Sequence, residues 1–188
     1  MRRHLPSCAL GMCLGLWLAP IVGAQTAQVS PLCRPWIQRI DPALGKAPFA
    51  VSFPLPEQET LEGMRCFLQC EGNKRESSIK INMTFNGGRE LPQPTVEIMA
   101  LYYISYLYEE DWEHAVGIAL WDKHGKINPP GSVHAAYLAY RRWFRRVQSV
   151  GLQQARKEHL QPLQGTEIEW YCGEKLYPPN RWEKSHFP

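Results

Sequence analysis

Four arginines and a histidine fall on one side of a predicted amphipathic helix and form the strongest candidate for a binding site. They are His134, Arg141, Arg142, Arg145 and Arg146. At 100° per residue, with Arg141 set to zero, the arginines cover an arc of about 140°, and the histidine lies at about 20°. Guanidinium groups bind carboxylates and phosphates through paired hydrogen bonds. The arc therefore predicts a surface for an acidic protein partner. The alternative is a solvated helix face paired with Glu residues of neighbouring segments.

The aromatic residues of the same helix lie on the opposite arc, between about 180° and 320°. With their aliphatic neighbours they are Ala136, Tyr137, Tyr140, Trp143, Phe144, Val147 and Val150. A surface that stacks nucleic-acid bases needs aromatic and basic side chains side by side, and a membrane-surface helix needs its apolar face free for lipid. Because the arcs are separate, we expect the aromatic side chains in the core and no nucleic-acid partner.

Two sets of residues could support catalysis, and neither is preferred. Glu110 and His114 lie four residues apart in an acidic stretch, but no HExxH motif is present. The simpler interpretation is that Glu110 and His114 belong to an acidic junction between helices that is exposed to solvent. Ser132, His134 and Asp122 could form a hydrolytic triad, yet PPGSVH does not resemble the turn that presents a serine nucleophile. Ser132 is predicted instead to cap a helix, and no catalytic residue, metal site or cofactor is expected.

Residues 1–24 have the features of a secretory signal peptide. A basic start at Arg2 and Arg3 precedes an apolar run, and VGA at 22–24 suits a cleavage site. Lipoprotein cleavage at Cys13 and twin-arginine export fit less well. The run is shorter than the roughly 20 residues of a membrane span, and no other stretch is apolar enough. We therefore expect a periplasmic or secreted protein without a membrane span.

Export changes the charge and the cysteine count. The chain has 21 Lys and Arg against 18 Asp and Glu. Loss of the leader removes two arginines, so the mature chain has a net charge of +1. Cys33, Cys66, Cys70 and Cys172 then remain, and an even number in an exported chain indicates two disulfides. Cys66 and Cys70 diverge from one predicted helix. The favoured bridges are Cys33–Cys66 and Cys70–Cys172, and the crossed pairing stays open.

The remaining sequence predicts a mainly α fold, a compact bundle of about five helices with two or three short peripheral strands. Residues 25–56 form a Pro-rich N-terminal segment with a helical turn at Trp36 and Ile37, residues 57–172 the helical domain, and residues 173–188 a loose C-terminal tail. The first predicted helix begins at residue 57 and is ended by Gly72-Asn73. The other predicted helices cover 95–110, 112–121, 133–150 and 152–160. Residues 95–110 are apolar almost all round, which predicts a central helix. The predicted strands are 49–53, 79–85 and 165–172.

Three long motifs resemble a family of small exported bacterial proteins without an assigned activity. They are GMRCFLQCEGN, VEIMALYYISYLY followed by WEHAVGIALWD and GKIN, and AYRRWFRRVQSVGLQQAR followed by LQPLQGTEIEWY. The resemblance covers most of residues 33–171 and transfers no catalytic residue. It implies a bacterial host, a periplasmic or secreted location and a helical domain. Immunity proteins against toxins delivered into the periplasm are the natural comparison, by analogy of class.

The predicted function is that of an exported, non-enzymatic binding protein. It would act as a periplasmic inhibitor or immunity protein and use the basic helix face against an acidic partner. One alternative is a small exported hydrolase with a site at Glu110 and His114. Another is a structural envelope protein. The sequence does not indicate an oligomeric state.

Overall fold

The computed structural model of the chain describes residues 29–79, 91–110 and 118–171, and these contain five α-helices and two strands. The helices are α1 (Arg34–Ile37), α2 (Glu57–Phe67), α3 (Val96–Glu109), α4 (Pro130–Val150) and α5 (Leu152–Lys157). The strands β1 (Leu120–Asp122) and β2 (Ile168–Trp170) pair antiparallel, with Trp121 opposite Glu169. The predicted mainly α fold is confirmed. The predicted bridge Cys33–Cys66 is also present.

Helix α3 lies in the centre of the described core, as its sequence predicts. Twelve of its 14 residues are buried. On one side the Tyr103 ring stacks on Phe67 at the end of α2, with centroids 4.5 Å apart. On another side the Tyr137 hydroxyl of α4 donates to the Glu97 carbonyl at 2.9 Å. Because apolar residues cover almost the whole circumference of α3, other elements must surround it.

A glycine lets α2 pack closely against both α1 and α3. A Cβ atom added to Gly63 would lie 2.8 Å from Leu107 Cδ1 and 3.1 Å from the Trp36 ring. Both distances are shorter than ordinary van der Waals contact. Gly63 therefore occupies a place where a side chain would push two buried neighbours apart.

Gly63→Ala is expected to lower the free energy of unfolding by about 1–2 kcal/mol. Overpacking costs about 1–3 kcal/mol, and the better helix propensity of alanine returns about 0.5–1 kcal/mol. Urea unfolding followed by circular dichroism measures the difference. Gly131→Ala in α4 is the control, since no atom lies within 4 Å of its added Cβ. Equal gains in stability for both variants would show that α2 does not approach its neighbours this closely.

Two buried carboxylates hold the loop between α2 and α3. Asp41, which is fully buried, accepts hydrogen bonds from Asn73 at 2.9 Å and from Arg75 at 2.7 Å. Glu97 in the first turn of α3 accepts from the Gly72 N–H at 3.0 Å and pairs with the Lys74 ammonium. Buried charges persist only where they are paired and hydrogen-bonded. The two acids thus fix the chain immediately after α2.

Three local predictions are wrong. Residues 120 and 121, predicted to end a helix, belong to β1, because their backbone pairs with β2, a strand far along the chain. Residues 112–117 of that predicted helix lie outside the described residues. Residues 49–53 are not a strand. Instead, the ring centroids of Phe49 and Phe53 lie 5.9 Å and 5.1 Å from the ring centroid of Tyr106. Ser132 does not cap α4, which begins at Pro130, where a proline suits the first helical turn.

Other predictions agree with the described elements or fall outside them. The helical turn at Trp36 and Ile37 lies in α1, and the last predicted strand contains β2. The signal peptide at 1–24, most of the predicted strand 79–85 and the tail at 173–188 lie outside the described residues. These three stay predictions.

The second predicted disulfide also depends on a residue outside the described ranges. Cys70 is 4% exposed and forms no disulfide with another described cysteine. Its predicted partner Cys172 lies outside the described residues, so the bridge Cys70–Cys172 stays a prediction. As a thiol, Cys70 would be a poor nucleophile, because burial, with a contribution from the Asp41 carboxylate, raises its pKa to about 12.

Candidate functional site

Helix α4 divides into a buried and an exposed side as its periodicity predicts. The large aromatic side chains on the buried side, Tyr137, Tyr140, Trp143 and Phe144, are at most 6% exposed. Arg142, Arg145 and Arg146 are exposed. Val150 at the end of the helix is 38% exposed and is the exception on the apolar arc. The aromatic side chains are therefore part of the core.

Two of the five predicted site residues are already paired within the protein. Arg141 Nη1 lies 2.5 Å from Glu71 Oε2, and His134 Nδ1 lies 2.6 Å from the other oxygen of the same carboxylate. Arg141 also donates to the Leu68 carbonyl at 3.2 Å and lies 5.6 Å from the centroid of the Tyr137 ring. These contacts join α4 to the end of α2. Arg141 and His134 thus have a structural role in the described fold.

The pKa of Glu71 reflects this double contact. Partial burial raises it, but the hydrogen bonds and positive charges of His134 and Arg141 outweigh that effect and hold the pKa below its ordinary value of 4.5. A carboxyl whose pKa is lower in the folded state stabilises the fold above its unfolded pKa. This stabilisation is lost as the pH falls through the lowered folded-state value.

Glu71→Gln is expected to cost about 0.5–1 kcal/mol of stability at pH 7, a modest figure because His134 and Arg141 are partly solvated. As the pH falls below 4.5 and through the lowered folded-state pKa, the difference from wild type should shrink, and it should vanish once the carboxylate is protonated in both states. Urea titrations at pH 7 and at pH 3 measure both effects. The control is Glu167→Gln, whose carboxylate pairs with Lys123 at the surface and is 71% exposed. A pH-independent loss would contradict the proposed role of the charge.

The other three arginines of the predicted site are exposed to solvent. We call Arg142, Arg145 and Arg146 the arginine patch. Among the described residues Arg142 and Arg145 have no ion-pair partner. Arg146 makes one long contact of 3.7 Å to Glu158 and is 63% exposed. Leu138, one and two turns before Arg142 and Arg145, is 42% exposed and adds an apolar side chain to the patch.

A groove of about 380 Å³ continues from this patch towards β1 and β2. Leu138 and Arg142 line both the patch and the groove. Asp122 and Ser132 also line it, whereas His134 contacts Glu71 instead. Ser132, His134 and Asp122 therefore do not come together as the hydrolytic triad considered from the sequence. Sequence reasoning missed the groove because its two walls are distant in the chain.

Asp122 has a structural task in the turn after β1. Its Oδ1 accepts hydrogen bonds from the backbone N–H groups of Lys126 at 2.8 Å and His124 at 2.9 Å. The Lys126 bond, with the others, holds the pKa of Asp122 below its ordinary value. The carboxylate is thus ionised at neutral pH and occupied by backbone donors. This arrangement suits a turn better than a catalytic orienting group.

Glu110, the first half of the considered Glu–His pair, closes the C-terminus of α3. It adopts a left-handed conformation with φ of 57° and accepts from Arg156 Nη1 at 3.0 Å. Arg156 also donates to the carbonyls of Tyr108 at 2.7 Å and Leu107 at 3.2 Å. His114 lies outside the described residues. Within the described ranges, no group of three His, Cys, Asp or Glu side chains is arranged to hold a metal ion.

No protein-family model, no curated protein and no solved structure matches this chain. The resemblance to small exported bacterial proteins and the expected export both stay predictions. Among the described helices, none combines the length and the apolar composition that a membrane crossing requires.

Proposed function

We propose that the chain is an exported, non-enzymatic binding protein that holds an acidic protein partner through the arginine patch. The bacterial resemblance and the signal-peptide features favour action outside the cytosol. Within the periplasm an inhibitor or immunity protein fits this description. The partner would supply Asp or Glu side chains that form paired hydrogen bonds with the guanidinium groups.

The observation that carries the proposal is the contrast within one basic helix face. Arg141 shares Glu71 with His134, whereas Arg142 and Arg145 have no ion-pair partner among the described residues. The described part of the fold therefore does not use these two guanidinium groups. Arginine is enriched in protein interfaces and among the residues that dominate binding energy. The partly exposed Leu138 adds an apolar side chain to the same surface.

The test compares two variants with the same loss of charge. In the patch variant Arg142, Arg145 and Arg146 are all replaced by Ala. In the control variant three exposed cations elsewhere, Arg34, Lys46 and Arg65, are replaced by Ala. Proteins that wild type retains from a periplasmic extract are identified by mass spectrometry, and each is purified. Calorimetry then measures its Kd for the three forms of the chain.

We expect an acidic partner whose affinity falls about 100-fold or more in the patch variant, because charge-assisted hydrogen bonds contribute about 1.5–3 kcal/mol each. The control variant should bind within about threefold of wild type after correction for net charge. Both variants should unfold as wild type does, since the replaced side chains are exposed. An affinity that is equal in the two variants, or a wild-type chain that retains no acidic protein, overturns the proposal.

A further inference from the structure

The groove beside the arginine patch has an apolar floor next to the guanidinium group of Arg142. Ile168, which is 7% exposed, lies on the β2 side, and Ala135 and Leu138 lie on the α4 side. At the N-terminal end of α4, Gly131 leaves open space, since a Cβ added there would meet no atom within 4 Å. The volume of about 380 Å³ lies at the small end of the range for binding sites, ~300–1,000 Å³. It can accommodate one large apolar side chain.

All but one of the Asp, Glu, Lys and Arg side chains that line the groove already have a partner within the described part of the protein. Glu167 pairs with Lys123 at 2.9 Å. The Asp122 carboxylate accepts two backbone N–H groups of its own turn. Arg142, at the junction with the patch, has no ion-pair partner among the described residues. A ligand that enters the groove therefore meets apolar walls, internally paired charges and one available guanidinium group.

We propose that the groove binds one apolar side chain, aromatic or large aliphatic, of an acidic segment of the partner, while carboxylates next to that side chain in sequence contact Arg142 and Arg145. This inference rests on the proposed function and specifies how the patch recognises its partner. An acidic sequence alone would satisfy the arginines. An apolar residue between the acids would in addition cover Leu138 and fill the groove. The two features together distinguish one acidic segment from another.

The surroundings favour a peptide over an anionic membrane. The carboxylates of Asp122 and Glu167 border the groove and would oppose an anionic lipid surface. The aromatic side chains that an interfacial helix would insert into lipid are buried in the core. A peptide chain can direct its acids towards the arginines and away from these two carboxylates.

The experiment uses two fluorescein-labelled heptapeptides with the same six acidic residues and either Phe or Ser at the centre. Fluorescence polarisation measures their affinities for the full mature chain at low salt. Wild type should bind the Phe peptide about tenfold or more tightly than the Ser peptide, since the difference is one buried aromatic side chain. Ala135→Trp, which fills the groove, should reduce this ratio to about one without weakening the Ser peptide. The patch variant should weaken both peptides.

A second variant removes the apolar wall without adding bulk. Leu138→Ser should lower the preference for the Phe peptide, and Leu32→Ser, at another exposed leucine, should not. Equal wild-type affinities for the two peptides overturn the groove inference and leave the proposed function in place. Failure of both peptides to bind overturns both. Co-sedimentation with phosphatidylglycerol vesicles that is lost in Ala135→Trp would assign the groove to lipid and also overturn the inference.

Discussion

Replacing Cys33 and Cys66 together by Ala is expected to lower the free energy of unfolding by about 3–4 kcal/mol. The bridge joins residues 33 positions apart, and closing a loop of this length restricts the unfolded chain by about that amount in the chain-entropy treatment. Both cysteines are at most 1% exposed, so their loss also removes buried contacts. Cys33 directly precedes the four residues of α1 and Cys66 lies in α2, so the bridge cross-links the two helices in addition to the backbone. Urea unfolding under oxidising conditions measures the change.

Cys70→Ala is the control for this experiment and tests the second predicted bridge. If Cys70 is a buried thiol, its replacement should cost about 1 kcal/mol through lost packing. If it is bonded to Cys172, the cost should approach that of the first bridge. A count of free thiols in the unfolded protein separates the two cases. A double variant at Cys33 and Cys66 that is as stable as wild type would contradict the role of the first bridge.

The parts of the fold that periodicity specifies could be predicted from the sequence. In α4 the spacing of aromatic and basic residues correctly separates the buried side chains from the exposed arginines, because each side chain's direction follows from its position in a regular helix. The central place of α3 follows from an apolar surface that no single contact face could bury. The poor fit of a Cys66–Cys70 bond to one helix favours long-range bridges, but it leaves the crossed pairing open, and only the structure selects Cys33–Cys66.

The features that could not be predicted depend on contacts between distant residues. The apolar stretch before residue 122 favours a helix locally, yet residues 120–122 pair with a strand that starts at residue 168. The basic arc of α4 looks uniform in sequence. Its division into paired and available residues depends on Glu71, which lies 63 positions before His134. Nothing in the local sequence indicates that Gly63 packs against Trp36 and Leu107. In each case the partner is set by tertiary packing rather than by local pattern.

The separation of α4 into a core side and a binding side has its sharpest test at Trp143. The side chain is 6% exposed, and its indole N–H donates to the Leu160 carbonyl at 3.0 Å. Its ring meets Tyr108 edge to face, with centroids 4.9 Å apart. Trp143 thus connects α4 to the end of α3 and to the chain after α5. The next residue towards the N-terminus, Arg142, belongs to the opposite, exposed side.

Trp143→Ala is therefore expected to cost about 3–5 kcal/mol, since it leaves a large cavity and an unpaired carbonyl. Trp143→Phe should cost less, about 1–2 kcal/mol, because most of the buried apolar surface remains while the hydrogen bond to Leu160 is lost. Arg142→Ala should change stability by at most about 0.5 kcal/mol. Thermal and urea unfolding of the three variants measure their stabilities and give the order of the three losses directly. If Arg142→Ala were the more destabilising change, the arginine patch would be a structural element of the fold, and its assignment to partner binding would have to be abandoned.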